Sequence, residues 1–226
     1  MTRVDGESLP VIVLGAGGHA RVLIDLLTEC RVPILGVCDP VLASSQTAKW
    51  QGLSVLGADD IVDEFDVNEV ALANGVGFLP QSLSRRNLFC AMKAKGFHFP
   101  EWVHPTAFVS RSTELHSGAQ IMAGATVQVG SVIHENAIIN TGASIDHEST
   151  VGPHVHVAPG ATICGNVTIG EGAFIGAGAT VTQGVSVGAR SVIGAGVTLR
   201  HDAEPDSTYR LASTHYQSNI RRRGLE

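Results

Sequence analysis

Two stretches of the sequence carry residues whose types and spacing could perform chemistry, and the first is the pair His147 and Glu148. A carboxylate beside an imidazole fixes the tautomer of the ring and stabilises the imidazolium that forms when the ring takes up a proton. His154 and His156 follow shortly after and form a cluster with His147, and Gly165 lies further along the chain. This segment therefore predicts general-base catalysis by His147, with Glu148 as its orienting carboxylate.

The second stretch is GAGGHA, which starts at Gly15 directly after an apolar run and precedes a helical pattern. Glycines between a strand and a helix allow backbone N–H groups at the helix N-terminus to approach a phosphate closely. The run falls short of a full GxGxxG motif, so a tight turn without a ligand is the alternative. Asp39, after the second predicted strand, has a spacing that suits a ribose hydroxyl. A nicotinamide enzyme is disfavoured, because the chain lacks a second Rossmann half.

Composition disfavours several classes of partner. The net charge of the 226 residues is −6, whereas a nucleic-acid binder presents a basic face. The four cysteines are widely spaced without a CxxC, which supports neither a zinc ribbon nor a redox pair. The sequence shows no signal-peptide core, and no apolar run reaches the roughly 20 residues of a membrane helix. We therefore expect a cytoplasmic protein with no metal and no nucleic-acid or membrane partner.

The first hundred residues predict alternating strands and helices. Apolar runs predict strands at 11–14, 34–38, 55–56 and 70–73, and helical spacing predicts helices at 18–29 and 80–95. Such alternation is typical of a parallel sheet with helices on its faces. Residues 1–100 are therefore predicted to form a small Rossmann-like α/β domain.

The second half of the sequence is a six-residue repeat. Every sixth residue from Val103 to Leu199 is Val, Ile or Leu, which makes 17 positions without a slip. The residue three places after each of the first 16 aliphatic positions is Gly or Asn in 11 cases. Gly and Asn are the residues that best tolerate a left-handed backbone. One large aliphatic residue and one left-handed corner in every six residues describe short strands joined by sharp bends.

Three such units close a triangular coil of about 18 residues, whose axis the aliphatic side chains fill. Stacked coils pair through their backbones, so the repeat predicts a parallel β-helix. We assign this β-helix to residues 101–203 and treat residues 204–226 as a C-terminal tail. A purely structural role accounts for most residues of the repeat.

Three motifs together resemble one group of enzymes: VIVLGAGGHARVLIDLL near the start, VHPTA at 103–107 and INTGASIDHES at 139–149. The group is the hexapeptide-repeat nucleotide-sugar N-acetyltransferases of the bacillosamine and perosamine type, and sialic acid O-acetyltransferases share its layout. The resemblance covers residues 10–205. It implies a left-handed β-helix, acetyl-CoA as co-substrate and a nucleotide-linked amino sugar as acceptor. It also implies a homotrimer with active sites between subunits.

The resemblance assigns roles to individual residues. His147 would deprotonate the attacking sugar amine, Glu148 would orient the imidazole, and the N–H of Gly165, one coil further on, would stabilise the acetyl oxyanion. His156 would lie near the acetyl group, so His156 and Gly165 form the acetyl-CoA side of the site. Transfer would be direct, without an acyl-enzyme on Cys164. The residues implied to contact the nucleotide sugar are Gly15, Gly17, Gly18, His19, Asp39 and Asn74.

Other functions stay open at the level of sequence. One is acetylation of a sugar hydroxyl, as in the sialic acid enzymes. Another is a non-catalytic β-helix scaffold or binding protein, against which stand Glu148 at a corner that favours glycine and the nucleotide-type first domain. A zinc hydratase of the γ-carbonic anhydrase type is disfavoured, since no two histidines of the chain are five residues apart.

Overall fold

A computed structural model describes residues 9–80 and 82–211. Its first part is an α/β domain with the strands β1 (Val11–Leu14), β2 (Ile34–Cys38), β3 (Lys49–Trp50), β4 (Leu53–Gly57) and β5 (Ala71–Asn74). The helices are α1 (Gly18–Glu29), α2 (Pro40–Ser44) and α3 (Ser84–Ala94), with a 3₁₀ helix at Asp59–Glu64. The five strands form one sheet in the order β3-β4-β2-β1-β5, and every pairing is parallel except β3 with β4.

Side chains of β1 alternate between the two faces of this sheet and meet a helix on each. Val13 packs with Leu23 and Leu27 of α1, whereas Leu14 packs with Phe89 of α3. The expectation of an α/β domain is confirmed, with α3 starting at Ser84 and the fourth predicted strand shifted by one residue. Within the described residues, no helix is both long and apolar enough to span a bilayer.

From residue 102 the chain winds through 18 strands of two residues each. They are β6 (Trp102–Val103), β7 (Phe108–Val109), β8 (Glu114–Leu115), β9 (Gln120–Ile121), β10 (Thr126–Val127), β11 (Val132–Ile133), β12 (Ile138–Ile139), β13 (Ser144–Ile145), β14 (Thr150–Val151), β15 (His156–Val157), β16 (Thr162–Ile163), β17 (Thr168–Ile169), β18 (Phe174–Ile175), β19 (Thr180–Val181), β20 (Ser186–Val187), β21 (Val192–Ile193), β22 (Thr198–Leu199) and β23 (Thr208–Tyr209).

These strands form three parallel sheets, one for each side of a triangular prism. We call them sheet I (β6, β9, β12, β15, β18, β21 and β23), sheet II (β7, β10, β13, β16, β19 and β22) and sheet III (β8, β11, β14, β17 and β20). The chain visits the sheets in that order in every coil. The predicted left-handed parallel β-helix is confirmed.

The six-residue period sets the register. Thr126 of β10 lies opposite Ser144 of β13, and Thr150 of β14 lies opposite Thr168 of β17, so each coil takes three of the six-residue units. The sixth-position aliphatic residues from Ile121 to Ile193 are at most 2% exposed. Each coil therefore contributes three large side chains to one continuous apolar axis, which the coils above and below cover.

The last coil is two residues shorter than the others. Val192 of β21 lies opposite Thr208, and Val187 bridges to Ala203, so both pairs are two residues closer in the chain than the pairs of earlier coils. The shortening falls just after Leu199, where the count of sixth-position aliphatic residues ends. The β-helix nevertheless continues to Tyr209, so the first residues of the expected 204–226 tail belong to its last coil. The remainder of that tail, from residue 212, lies outside the described residues.

Left-handed corners follow one another at every sixth residue from Gly118 to Gly196, which gives 14 positions with positive φ. Three of them, Glu148, His154 and Arg190, are neither Gly nor Asn, although φ is 57°, 58° and 57° respectively. His154 contacts Asn136 through its Nδ1 at 2.9 Å, and Arg190 pairs with Asp206 at 2.6 Å. The side chain of Glu148 instead contacts its neighbour in the chain, the predicted base.

The α/β domain packs against sheet I of the β-helix. Trp102, Met122 and Ile138 from this side of the prism join the apolar cluster of α1 and the β1 face. Two ion pairs connect α3 to the corners between sheets III and I: Arg86 with Glu171 at 2.9 Å and Lys93 with Glu135 at 3.8 Å. The two parts of the chain therefore share a broad contact on one side of the prism.

A pair of corner substitutions tests the cost of these left-handed positions. A non-glycine residue at such a corner is strained by about 1–2 kcal/mol in the folded state, and replacing it by glycine removes this strain. Glycine also makes the unfolded chain more flexible, which offsets part of the gain in stability. Glu148→Gly should therefore raise the free energy of unfolding, by up to about 1 kcal/mol. Gly142→Ala should lower it by about 1 kcal/mol, because φ is 65° there and an added Cβ meets no neighbour within 4 Å. Urea unfolding measures the free energy of unfolding of both variants. Changes of the same sign in Glu148→Gly and Gly142→Ala would contradict the strain argument.

Candidate active site

The predicted base lies at a corner between sheets II and III. The Nδ1 atom of His147 is 3.4 Å from the Oε2 atom of Glu148, and their side chains are 43% and 72% exposed. The imidazole lies directly over the Cα of Gly165, one coil further along. A Cβ atom added at Gly165 would overlap the Cε1 and Nε2 atoms of the ring. The structure thus brings the three residues of the predicted acetyl-transfer centre together.

Glycine at position 165 is not required by the backbone. Gly165 does not have positive φ, and the equivalent positions in the coils below and above His147 and Gly165 are Val129 and Gln183. The equivalent position in neighbouring coils therefore accommodates a side chain. What excludes one at Gly165 is the imidazole of His147, which occupies the space that a side chain would need.

Hydrogen bonds hold the backbone of the predicted base at both its N–H and its carbonyl group. The N–H of His147 donates to the Oδ1 of Asp146 at 2.8 Å, and its carbonyl accepts from the N–H of Asn166 at 2.8 Å. The N–H of Gly165 has no hydrogen-bond acceptor among residues 9–80 and 82–211, so it can donate to a ligand. Sequence reasoning missed Asp146, although its place directly before the His–Glu pair was the available signal.

The glycine loop forms the turn between β1 and α1. Helix α1 begins at Gly18 with Gly17 as its N-cap, and no side chain caps this end. The N–H groups of Gly17 and Gly18 find no acceptor in the part of the chain that the structure describes, and the space beside both Cα atoms is open. Gly15 has a φ of 89° and donates to the carbonyl of Cys38 at 2.7 Å. The helix N-terminus is therefore available to an anionic group.

Asp39 holds this loop in place. Its Oδ2 accepts from the N–H of Ala16 at 3.0 Å, and its Oδ1 accepts from the N–H groups of Val41 and Leu42 at 2.9 and 3.0 Å. Asp39 is thus the N-cap of α2 and a tether of the glycine loop at once. A contact with a ribose hydroxyl stays a prediction beside this structural role.

Asn74 lies at the junction of the two domains and is 1% exposed. Its Nδ2 atom donates to the carbonyl of Arg85 and to the Oδ1 of Asn136, at 3.0 and 3.2 Å, and its Oδ1 accepts from the N–H of Val76 at 3.2 Å. All its side-chain hydrogen-bonding groups are therefore engaged within the protein. The structure gives Asn74 a role in joining the domains, and the expected contact with substrate has no support from its position.

Arg85 is the residue at this junction that sequence reasoning missed. It is buried, and its guanidinium donates to the carbonyls of Asn74 and Val76 at 2.7 and 2.8 Å. Burial lowers the pKa of Arg85 to about 9. In the described parts of the chain this guanidinium has carbonyl partners but no carboxylate within ion-pair distance. Its positive charge disfavours protonation of nearby histidines.

Two such histidines are His19 and His156. The Nε2 of His19 lies 2.7 Å from the Oε1 of Gln120, and the Nε2 of His156 lies 3.1 Å from the Nδ2 of Asn140. Burial is the main cause that lowers the pKa of His19 to about 4 and that of His156 to about 3, and the charge of Arg85 adds to it. Both imidazoles are therefore neutral near pH 7.

The three histidines that follow one another in the sequence separate in space. His147 lies at the corner between sheets II and III, His154 at the next corner, and His156 in sheet I. His156 packs its ring edge-on against Phe78 and Phe174, with centroid distances of 5.6 and 5.4 Å. The three histidines share one coil, as expected, but half a coil of the β-helix carries the chain from one side of the prism to another.

One chain thus presents the predicted site residues in two groups, which we call its two halves. His19 and His156 lie where the α/β domain meets sheet I, next to the glycine loop. His147, Glu148 and Gly165 lie at the corner opposite sheet I. A cleft of about 390 Å³ adjoins the first half, and its walls include Phe78, Arg85, Phe174 and Arg190. Among the described residues, no group of three or more His, Cys, Asp or Glu side chains could hold a metal ion.

Comparison with protein families gives two matches. The PglD N-terminal domain matches residues 10–89, and the bacterial transferase hexapeptide (six repeats) matches residues 148–183 and 166–201. The first coincides with the α/β domain and the second with the β-helix. A comparison with curated protein sequences found no significant match.

Solved structures resemble nearly the whole chain. The acetyltransferase domain of PglB from Neisseria gonorrhoeae FA1090 is 31% identical, with a TM-score of 0.81 over 89% of this chain and 97% of that one. The same domain was solved with acetyl coenzyme A, with 31% identity, a TM-score of 0.80 and coverages of 88% and 96%. PerB from Caulobacter crescentus, solved with CoA and GDP-perosamine, is 32% identical, with a TM-score of 0.80 over 88% of this chain and 92% of that one.

Two variants of the Caulobacter perosamine N-acetyltransferase, each with one histidine replaced, were also solved with CoA and GDP-perosamine. The mutual coverage of about nine-tenths of each chain extends over both domains. The chain therefore belongs to the hexapeptide-repeat acetyltransferases of the bacillosamine and perosamine N-acetyltransferase type.

Proposed function

We propose that this enzyme transfers the acetyl group of acetyl-CoA to the amine of a nucleotide-linked amino sugar. The observation that carries the proposal is the placement of the His147 imidazole, with a carboxylate beside one ring nitrogen and Gly165 beneath it. Supporting it is the 32% identity to an enzyme solved with CoA and GDP-perosamine. The nucleotide and the sugar of the present substrate are to be identified by assay.

The chemistry follows from the two ring nitrogens of His147. With Nδ1–H directed to Glu148, Nε2 keeps a lone pair that can accept a proton from the sugar amine. The amine nitrogen attacks the thioester carbonyl carbon as His147 takes this proton, and the new C–N bond forms. When the tetrahedral intermediate collapses, the C–S bond breaks and the CoA sulfur leaves, taking up the proton that the imidazolium returns. No covalent acyl-enzyme is needed.

Gly165 would contribute to this step in two ways. Its missing side chain leaves room for the imidazole, and its N–H, which has no acceptor among the described residues, can donate to the oxygen that becomes negative in the tetrahedral intermediate. His156, neutral and buried, would contact the acetyl-CoA side of the site. The N–H groups of Gly17 and Gly18 would hold the phosphates of the nucleotide.

The separation of the two halves supports a site shared between subunits. The glycine loop lies beside sheet I and His147 lies at the opposite corner, an arrangement that favours contributions from two chains to one substrate. A second copy placed with this corner against the α/β domain would complete the site. A triangular prism has three sides, so a closed homotrimer is the assembly that the family resemblance implies.

Removal of the base should abolish most turnover without affecting the fold. His147→Ala should lower kcat by about 10²–10⁴-fold, the usual worth of a general base, and leave the Kd of acetyl-CoA nearly unchanged. Glu148→Ala should cost less, because the imidazole remains. The matched control is His116→Ala, which removes another β-helix histidine near a carboxylate, Glu114 at 3.1 Å. Thiol release from acetyl-CoA with UDP-, GDP- and dTDP-linked 4-amino sugars is the readout, and normal turnover by folded His147→Ala refutes the assignment.

Gly165→Ala should act on activity through the imidazole alone. The backbone conformation at this position accepts alanine, and the ring is half-exposed, so it can move aside while the fold persists. The displaced imidazole no longer reaches the amine, so kcat should fall by at least about tenfold, as expected when a base loses its hydrogen-bonding distance. Gln183→Ala in the next coil is the control and should be silent. Equal thermal stability with unchanged kcat in Gly165→Ala would contradict the proposed geometry.

Mixing two inactive variants tests whether the site is shared. Gly17→Phe should block the phosphate site, since its side chain has open space to fill, and His147→Ala removes the base. Co-refolded in equal amounts, they should regain roughly a quarter of the wild-type sites, because each of the two contributing chains is the intact one half of the time. A site within one chain predicts no recovery, and each variant refolded alone is the control.

Analytical ultracentrifugation of the wild type should show a trimer.

A further inference from the structure

We propose that Gln120 of the β-helix is a positioning residue that fixes the tautomer of His19, so that His19 accepts a hydrogen bond from a hydroxyl of the sugar. The proposal rests on the proposed function for the identity of the sugar. It concerns a residue that neither the sequence motifs nor the resemblance pointed out. The two residues are 101 positions apart and come from different domains.

The orientation of the Gln120 amide follows from its two partners. Gln120 is 0% exposed, and its Nε2 donates to the backbone carbonyl of Asn74 at 2.9 Å. The reversed amide would place its oxygen against that carbonyl, which has no proton to share. The oxygen Oε1 therefore faces the Nε2 of His19, at 2.7 Å. Since Oε1 can only accept, the Nε2 of His19 must carry the hydrogen.

The surroundings keep this imidazole neutral. The groups that face it are the guanidinium of Arg85 from α3, the ring of His156 from β15 and the N-terminus of its own helix. The first and last of these are positive and disfavour a second proton. A neutral ring with its hydrogen on Nε2 has a lone pair on Nδ1. In the described residues this atom has no partner, and His19 is only partly buried.

The lone pair restricts what His19 can recognise. A phosphate oxygen only accepts hydrogen bonds, so the imidazole has nothing to offer it, and the N–H groups of Gly17 and Gly18 remain for that purpose. An ammonium group would be repelled by Arg85. A hydroxyl donates a hydrogen bond without charge and fits both conditions. His19 would therefore select the sugar that follows the phosphates.

The tautomer can be observed directly in the full-length protein without any ligand. In ¹⁵N-detected NMR of histidine side chains, with the His19 signals assigned by their loss in His19→Ala, the wild type should show Nδ1 unprotonated and Nε2 protonated from pH 8 down to 5.5. Gln120→Glu, of equal size, should make His19 protonated on both nitrogens in this range. Gln120→Met should leave a mixture of tautomers. A wild-type Nδ1–H tautomer, or spectra of His19 unchanged in both variants, overturns the proposal.

Kinetics with fluorinated substrates tests the hydroxyl. Replacing one sugar hydroxyl at a time by fluorine keeps its size but removes the donor. For one position the wild type should lose up to about tenfold in kcat/KM, and His19→Ala should lose nothing further with that analogue. Equal losses in both enzymes at every position overturn the hydroxyl contact. If no nucleotide-linked amino sugar is acetylated at all, the proposed function and the hydroxyl contact fail together, whereas the NMR result decides the Gln120–His19 pair independently.

Discussion

The six-residue stack of aliphatic side chains is the constraint on which everything else in the molecule depends. Every coil before the last returns to the same register after three six-residue units, because a shift of one residue would turn the buried side chains outward and expose the axis. The backbone achieves this with a left-handed corner in every unit, and most of these corners are Gly or Asn. Residues that face outward are free of this requirement, so they can be chosen for binding and catalysis.

The stack also decides where functional groups can meet. Residues one full coil apart lie one above the other, which places Gly165 under the imidazole of His147. Residues half a coil apart lie on different sides of the prism, which separates His147 from His156. Within one chain, functional groups therefore come together as vertical neighbours, and the proposed trimer would add lateral neighbours from another chain.

Much of this architecture could be predicted from the sequence because it is local and periodic. The aliphatic spacing, the corners and the strand-glycine-helix pattern each occupy a few consecutive residues, and the structure places them as expected. The junction of the domains could not be predicted, because its partners are far apart in the chain. Gln120 meets Asn74 and His19 across 46 and 101 residues. The end of the β-helix was also missed, since the last coil departs from the period that revealed the others.

The histidines of the predicted site differ in burial and in the side chains that they contact. His147 is exposed beside a carboxylate, at a corner of the β-helix that faces solvent. His19 and His156 lie near the buried cation of Arg85, where a second charge would be unfavourable, and each is paired with a side-chain amide instead of a carboxylate. The hydrogen bond to Gln120 raises the pKa of His19, but burial and the charge of Arg85 outweigh it, so the ring stays neutral. Neutral imidazoles of this kind can recognise a ligand with a fixed pattern of donors and acceptors, while the proposed mechanism assigns proton transfer to the exposed corner.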